Sequence, residues 1–551
     1  MASLEEKQST RPKDIKAPEH AGRYAQVNLP PTEQLLVEGG DARIALDPDR
    51  ALNMYGCQPF PDPDLGAFGS STASVISHAG FAAADRLRRR LLAVGAEPQA
   101  ITYARELNRI RRELTHLCGV SDIPGLEVVL AASGTDIHLI AAQLAGGTAS
   151  RPTVAVTVEA DETGSGVPLA LAGRHFSTRA TSGYPVIKNT ALAYSGIIET
   201  ATVPIRLVDG TPRQAAAIDA EFKSLVTGAV SMGRRVLLVS VDLTKTGCLA
   251  PSLACILEMQ RGLPDTVDVL VDACQFRLAP STLRAYLEHD LMVAITGSKF
   301  ITGPSFAGAL LIPSSMAGKL RARPFPRALR GYSTRADWPQ TWAVDGILDN
   351  MANFGLLLRW EAALEDLRTF RSVPEPEVTN FLQAFADAIQ HRLKNDPIFA
   401  PLPAPQIDRR PLIEAASWDH VPTIFPFLLY HPGPSTGQTP LNREETNHVY
   451  RLLPADLSNH HGLANTRLNS NLAKFRGQLG QPVVCGNRNG VPVSALRLCS
   501  SARLVIKASL HKGREAAKVI ENALTALDKT AALVKTGWFQ ADLPKPGIGQ
   551  K

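Results

Sequence analysis

The chain has no cysteine pair at C-x-x-C spacing, and its seven cysteines are dispersed without a metal-ligand pattern. That excludes a disulfide framework and a cysteine-built zinc site; an odd, scattered set reads as free thiols in a reducing compartment. No apolar run approaches the roughly 20 residues that cross a bilayer. The opening MASLEEKQSTRPKDIKAPEH is polar and has no signal-peptide core. The expectation is a soluble, cytoplasmic protein with no membrane partner.

A charge excess of one sign is also missing. Lysine and arginine number 58 against 52 acidic residues, a formal net charge of +6, with the signs mixed along the chain. The densest basic run, Arg86, Arg88, Arg89 and Arg90 around Leu87, lies in a stretch with the apolar spacing of an amphipathic helix. It reads as a solvated helix face. No aromatic platform or recognised module accompanies it, so no nucleic-acid partner is expected. There is no internal repeat. No G-x-G-x-x-G follows a strand, which argues against a dinucleotide-binding dehydrogenase.

What remains is a chain of 551 residues, 44% hydrophobic and 20% charged, enough for two or three sizeable cores. Near-continuous apolar runs appear at TVAVTV (153–158), RVLLVSVD (235–242), VDVLVDA (267–273), LMVAIT (291–296) and GALLI (308–312). Helix-like stretches such as PSLACILEMQRG and STLRAYLEHD separate several of them. That alternation argues for a parallel sheet covered on both faces. After about residue 330 the texture changes to two long helical segments, two Pro-rich loops (401–411 and 431–440), a strand-like SALRLCSSARLVIKAS and a final amphipathic helix.

Two residues carry the strongest chemical signal. Asp272, in VDACQF, stands at the C-terminal end of a buried strand, where parallel α/β sheets place their ligands. Lys299, in ITGSKFITGPSFAGALL, follows the next strand in a Gly-rich turn, where desolvation favours a neutral amine and imine formation. Each alone has an ordinary explanation, a helix cap or a solvated lysine. Paired across one strand–helix–strand unit, they point to a cofactor site.

The pair and its surroundings resemble the class V aminotransferase and cysteine desulfurase branch of the pyridoxal 5′-phosphate (PLP) enzymes of fold type I. That family's pattern runs D-A-x-Q, H-D, S-x-x-K and G-P-x-G. Here it reads Asp272-Ala273-Cys274-Gln275, His289-Asp290, Thr296-Gly297-Ser298-Lys299 and Gly303-Pro304. Upstream, SSTASVISHAGFAAADRLRRRL resembles the N-P-S-S-x-H-x-x-G segment, and AASGTDIHLIAAQLA (131–145) resembles the phosphate-binding turn. Downstream, SALRLCSSARL resembles the segment with the substrate-carboxylate arginine.

The resemblance implies an α/β PLP-transferase fold. An N-terminal arm would span 1–48, a large PLP-binding domain with a mainly parallel seven-stranded sheet 49–330, and a smaller α+β domain with Pro-rich insertions 331–551. It implies PLP as cofactor, with Lys299 as Schiff-base lysine and Asp272 as partner of the pyridine nitrogen, which makes the ring an electron sink for carbanions. Ser133, Gly134, Thr135, Thr296 and Ser298 would hold the phosphate, the first three at a helix N-terminus. Gln275 and Thr244 would contact the ring hydroxyl oxygen. Arg497 would clamp a substrate carboxylate in a bidentate fork, with Arg503 as its near neighbour in the alignment. It also implies a homodimer with a shared active site that includes the stretch around Asn353.

Three departures from the family pattern stand out. Where relatives place a histidine or aromatic ring over the cofactor, this chain reads VEADETGSG, so the candidates are Asp161, Glu162 and Thr163, with Glu162 favoured as a catalytic carboxylate. If the alignment slips, His175 takes that place. Cys485 lies upstream of Arg497 but offset from the desulfurase cysteine. The surplus length lies in the arm and the Pro-rich region; the loop at 53–72 reads as substrate-side, with Tyr55 as a contact. The expected activity is carbanion chemistry on an amino acid, with elimination or replacement at the β or γ carbon ahead of transamination. A cysteine desulfurase using Cys485 and a non-catalytic scaffold are the other readings. Gln275 argues against the group II decarboxylases, which prefer a histidine after the strand aspartate.

Overall fold

The computed structural model describes residues 29–69, 75–93, 97–148, 150–403, 405–415, 417–433, 438–458 and 469–537. Most of the expected arm, the start of the segment resembling N-P-S-S and the end of the 53–72 loop lie outside them.

The β-branched runs form one sheet. Its strands are β1 (Glu127–Ala131), β2 (Thr153–Val158), β3 (Ile198–Val203), β4 (Arg235–Asp242), β5 (Val267–Asp272), β6 (Met292–Thr296) and β7 (Gly308–Ile312). They lie side by side in the order β1-β7-β6-β5-β4-β2-β3, with the short strand Leu249–Ala250 added antiparallel to β4. β2 to β6 are mutually parallel, and β1 and β2 and β4 to β7 are buried along nearly their whole length. A strand buried on both faces has no polar side, which is why these segments read as continuous apolar runs.

GALLI departs from the parallel reading. β7 pairs antiparallel with both β6 and β1. The chain between Thr296 and Gly308 contains no helix, and a parallel return needs a crossover of a dozen residues or more.

Register fixes where the site forms. Asp272 on β5 pairs with Ala294 on β6, while Gly308 on β7 pairs with both Thr296 and Ala131. The C-terminal ends of β1, β5 and β6 therefore open along one edge. From that edge depart helix α3 (Gly134–Ala145), the segment after Asp272, and the turn carrying Lys299.

Helices α1 (His78–Ala93), α2 (Gln99–Leu117), α4 (Ala215–Ser231), α5 (Leu253–Gly262) and α6 (Pro280–Glu288) cover the sheet, and the expected helical stretches fall on α5 and α6. Helix α7 (Phe354–Arg371) is buried over most of its circumference and packs against α1 and α2. Within it, the buried Arg359 donates Nε to the Phe306 carbonyl at 2.6 Å and gives its remaining donors to the carbonyls of Leu36, Glu38 and Gly39. This arginine fastens the segment before residue 44 to the body of the molecule.

Helix α8 (Glu375–Lys394) leads into a second, antiparallel sheet. Its strands β8 (Phe399–Pro401), β9 (Ile424–Leu429), β10 (Gly480–Arg488) and β11 (Val491–Cys499) run in the order β8-β9-β11-β10. The strand-like run at 494–509 is split: β11 ends at Cys499 and α9 (Ala502–Gly513) begins, because Ser501 caps it by accepting from Leu504 N. Helix α10 (Ala516–Lys535) closes the described chain. A seven-stranded, mainly parallel sheet between helices, with a smaller α+β part downstream, is the architecture the resemblance implies. No described helix is long and apolar enough to cross a membrane.

Candidate active site

Lys299 sits half-buried in the turn after β6. The turn is held by backbone bonds from Gly297 N to Ala307 O at 2.8 Å, Gly303 N to Gly297 O at 2.9 Å and Phe300 N to Gln275 O at 3.2 Å. It also presses against α7. A Cβ on Gly297 would stand 2.5 Å from the Ala363 Cβ, and one on Gly303 would stand 2.7 Å from the same atom. Glycine here is a packing requirement that fixes where the lysine emerges.

Asp272 ends β5 and opens into the same cavity as Lys299. Its Oδ1 accepts Cys274 N at 3.1 Å, and its Oδ2 lies 3.1 Å from His138 Nε2. The other nitrogen of His138, Nδ1, is 2.7 Å from the Gly134 carbonyl. Both ring nitrogens face acceptors, which favours the doubly protonated ring. Burial pulls the His138 pKa down, but Asp272 and the Gly134 carbonyl outweigh it and hold it above its ordinary value. Burial likewise pushes the Asp272 carboxyl up, yet His138 and Lys299 bring it well below the usual carboxylate range. Sequence reasoning missed His138, because a histidine inside an apolar helix reads as core. The signal was its position four residues after Gly134, one turn into the helix that starts beside Asp272.

At the other side of Lys299 lies a ring of small donors. Ser133 caps α3, accepting from Asp136 N at 3.3 Å. Thr135, Thr296 and Ser298 line the same cavity, with Thr296 Oγ1 donating to Cys274 O at 2.7 Å. A Cβ on Gly134 would stand 2.8 Å from Cys274 Sγ and 3.3 Å from Thr296 Cγ2, so glycine keeps the helix entrance open. Arg43 closes this end, unforeseen from the sequence because it falls in the segment read as an arm. Its guanidinium donates to Thr135 Oγ1 at 3.1 Å and Ser133 Oγ at 3.3 Å, pairs with Asp41, and lies over the rings of Phe306 and Phe176.

The donor set fits PLP. An ionised, histidine-backed carboxylate suits a protonated ring nitrogen, and hydroxyls around a helix N-terminus with an arginine suit a phosphate. Among the described residues, the buried Gln275 Oε1 and Thr163 Oγ1 have no hydrogen-bond partner, consistent with a polar guest. His138, Asp272 and Cys274 also place ligand atoms within 4.8 Å of one another. A metal would require a neutral histidine and a thiolate. Here both His138 nitrogens already face acceptors, and burial pushes the Cys274 thiol well up, so the corner suits a ring nitrogen better.

The opposite wall comes from the second sheet. Arg497 on β11 is 3% exposed and directs Nε and Nη2 to the Gln481 carbonyl at 3.2 and 2.8 Å, and Nη1 to the Lys245 carbonyl at 3.4 Å. It lines the cavity, whereas Arg503 lies elsewhere, on the Val75 and Thr302 carbonyls. Tyr55 reaches the cavity edge-on to Phe306, with ring centroids 6.1 Å apart.

Glu162 also lines the cavity but is already engaged. Arg206 Nε donates to it at 2.8 Å, and Thr246 donates through N at 3.1 Å and Oγ1 at 2.7 Å. These bonds occupy both carboxylate oxygens, so Glu162 braces the wall together with Arg206 and Thr246. Thr163 lines the cavity beside it, Asp161 is exposed, and His175 is hydrogen-bonded to Tyr332 outside the cavity. Thr244 is not a lining residue: its Oγ1 accepts Cys248 N at 3.1 Å inside a tight loop, and the next residue, Lys245, faces the cavity instead. Cys485 is buried among Leu402, Leu428, Val493 and Ala495, is not one of the lining residues, and burial raises its thiol pKa.

No protein-family model and no curated protein matches the chain. Among solved structures it is similar to the cysteine desulfurase CsdA from Escherichia coli, with 14% identity, 85% of this chain and 95% of that one covered, and a TM-score of 0.48. It is similar to the cystine C-S lyase C-DES, with 15% identity, 84% and 98% covered, and a TM-score of 0.48. It is also similar to the ureidoglycine-glyoxylate aminotransferase of Bacillus subtilis, with 11% identity, 87% and 95% covered, and a TM-score of 0.46.

Proposed function

We propose that the chain is a PLP-dependent enzyme acting on an amino acid. One observation carries this: a half-buried lysine, a histidine-backed ionised carboxylate and a hydroxyl-lined helix N-terminus meet in one cavity. The cofactor, when bound, would supply the electron sink for charge left on the substrate α-carbon. Asp272 would hold the ring nitrogen's proton, and His138 would keep Asp272 ionised. Ser133, Thr135, Thr296, Ser298 and Arg43 would fix the phosphate. Lys299 would anchor the cofactor and then move a proton to or from the substrate. Arg497, a buried cation whose hydrogen bonds among the described residues go to carbonyls, would orient the substrate carboxylate.

Within this class we favour elimination or replacement over transamination. Support comes from the loop after β2, which brings Glu162, Thr163, Gly164 and Ser165 to the cavity and no ring. A desulfurase using Cys485 is disfavoured, since attack on sulfur needs an accessible thiolate.

The test is spectroscopic and chemical. Purified protein is expected to be yellow, to lose its colour with carbonyl-trapping reagents, and after borohydride reduction to carry the label on Lys299. A label on another lysine overturns the assignment.

A further inference from the structure

We propose that the substrate carries a second anionic group, bound by Lys245 while Arg497 takes the α-carboxylate, so that the site serves a dicarboxylic or otherwise doubly anionic amino acid. This rests on the PLP reading for the identity of the reacting end, but the anion site itself stands on this chain's own residues.

Charge accounting in the cavity leads there. At the cofactor end His138 faces Asp272, Arg43 is paired with Asp41, and Lys299 is the amine that the cofactor reading commits to an imine. At the far wall Arg206 and Glu162 neutralise each other, with Thr246 completing the carboxylate's bonds. Lys245 and Arg497 remain. They adjoin, since Arg497 Nη1 reaches the Lys245 carbonyl at 3.4 Å. Among the described residues neither forms an ion pair; the Lys245 ammonium has the Asp161 carbonyl at 3.1 Å, and Arg497 has carbonyls alone.

Two neighbouring cations in a half-buried pocket repel each other and lose hydration. Burial first, and Arg497 second, pull the Lys245 pKa down to about 8, with Lys299 adding to them and Glu162 and Asp161 opposing. One α-carboxylate balances one of the two cations. A neutral substrate side chain would leave the other uncompensated beside it, whereas a second acidic group balances both. Arg497's planar fork suits the carboxylate bound in one orientation; the flexible lysine suits a distal acid on a chain of variable reach.

The decisive measurement is calorimetric titration of the purified, full-length protein with succinate and with butyrate, which needs no reaction at the cofactor. Cofactor absorbance is then followed with aspartate, glutamate and O-phosphoserine against asparagine, glutamine and serine. The acidic member of each pair is expected to bind about tenfold or more tightly, the scale of one charge-assisted contact. Lys245→Gln is expected to collapse that ratio, and Arg497→Lys to weaken both members. In the wild type the ratio should fall as pH rises through about 8, where Lys245 loses its charge, and in Lys245→Gln it should be flat. Equal affinity for succinate and butyrate, or a Lys245→Gln variant that keeps the acidic preference, overturns the proposal. Failure of the borohydride label to reach Lys299 would instead strike the cofactor reading and leave the succinate result standing.

Discussion

Asp272 and His138 show how two buried groups set each other's charge. Burial alone pushes each toward its neutral form; together, the carboxyl is held well below the usual carboxylate range and the imidazole above its ordinary value. Asp272→Asn is therefore expected to keep the cofactor yet lose turnover by orders of magnitude, because an unprotonated pyridine is a poor electron sink. A near-normal steady-state rate would misplace the aspartate. The pair also makes stability depend on pH. A histidine whose folded pKa is raised contributes fully below its ordinary value of 6.5 and loses that contribution as pH rises through the folded value. The melting-temperature gap between wild type and Asp272→Asn, measured without cofactor, should be widest between the ordinary values of 3.8 for the carboxyl and 6.5 for the imidazole, and narrow both toward alkaline pH and in stronger acid, where Asp272 takes up a proton. At the far wall, Arg497→Lys replaces a planar fork with a point charge. It should cost roughly 1.5–3 kcal/mol, about one to two decades in kcat/KM. An unharmed Arg497→Lys beside a damaged Arg503→Lys would move the role to Arg503.

The elements explain which residues were legible beforehand. Asp272 and Lys299 stood out because each follows a continuous apolar strand, and a buried parallel strand announces both itself and its ligand-bearing end. Ser133 to Thr135 were legible as a helix start for the same reason. Thr244, expected at the ring oxygen, bonds the backbone of its own loop after β4, and alternation in a tight turn cannot say which neighbour faces the cavity. Glu162 lines the cavity, but its partner Arg206 comes from a segment with no pattern that announces it. Arg43 was hidden in a stretch that distant residues hold in place, Arg359 of α7 through Gly39, Ser177 through Ala42 N and Arg179 through the Asp41 carbonyl. The turn bearing Lys299 is itself a product of α7. Gly303→Ala would drive a Cβ to 2.8 Å from the Gly297 carbonyl oxygen and 3.0 Å from the Ala363 Cα, both backbone atoms that cannot swing aside. A loss of roughly 1–3 kcal/mol in denaturant unfolding is expected, with weaker cofactor retention. A variant of unchanged stability would mean the turn is looser than its contacts.

At the scale of the whole molecule, the cavity is assembled from the segment around Arg43 and Tyr55, from the edge of the large sheet, and from β10 and β11 of the small one. The resemblance to class V enzymes implies that two chains complete each site. Sedimentation is expected to show a homodimer of the 59.2 kDa chain, and a fully active monomer would contradict it. Asn353, in the stretch expected to cross between subunits, is engaged within its own chain, capping α7 and donating to the Gly39 carbonyl at 3.0 Å. Any inter-subunit role there must fall to its neighbours. The Arg359 clamp has a last consequence, for biosynthesis. A ribosome releases the chain from its N-terminus, so residues 36–39 emerge long before the arginine that holds their carbonyls, which lies 320 positions beyond Gly39. The wall bearing Arg497 emerges later still. The turn bearing Lys299 leans on the helix that carries Arg359, so the cofactor end and the Arg43 flank both wait for α7, and the pocket is complete only when β10 and β11 have joined it.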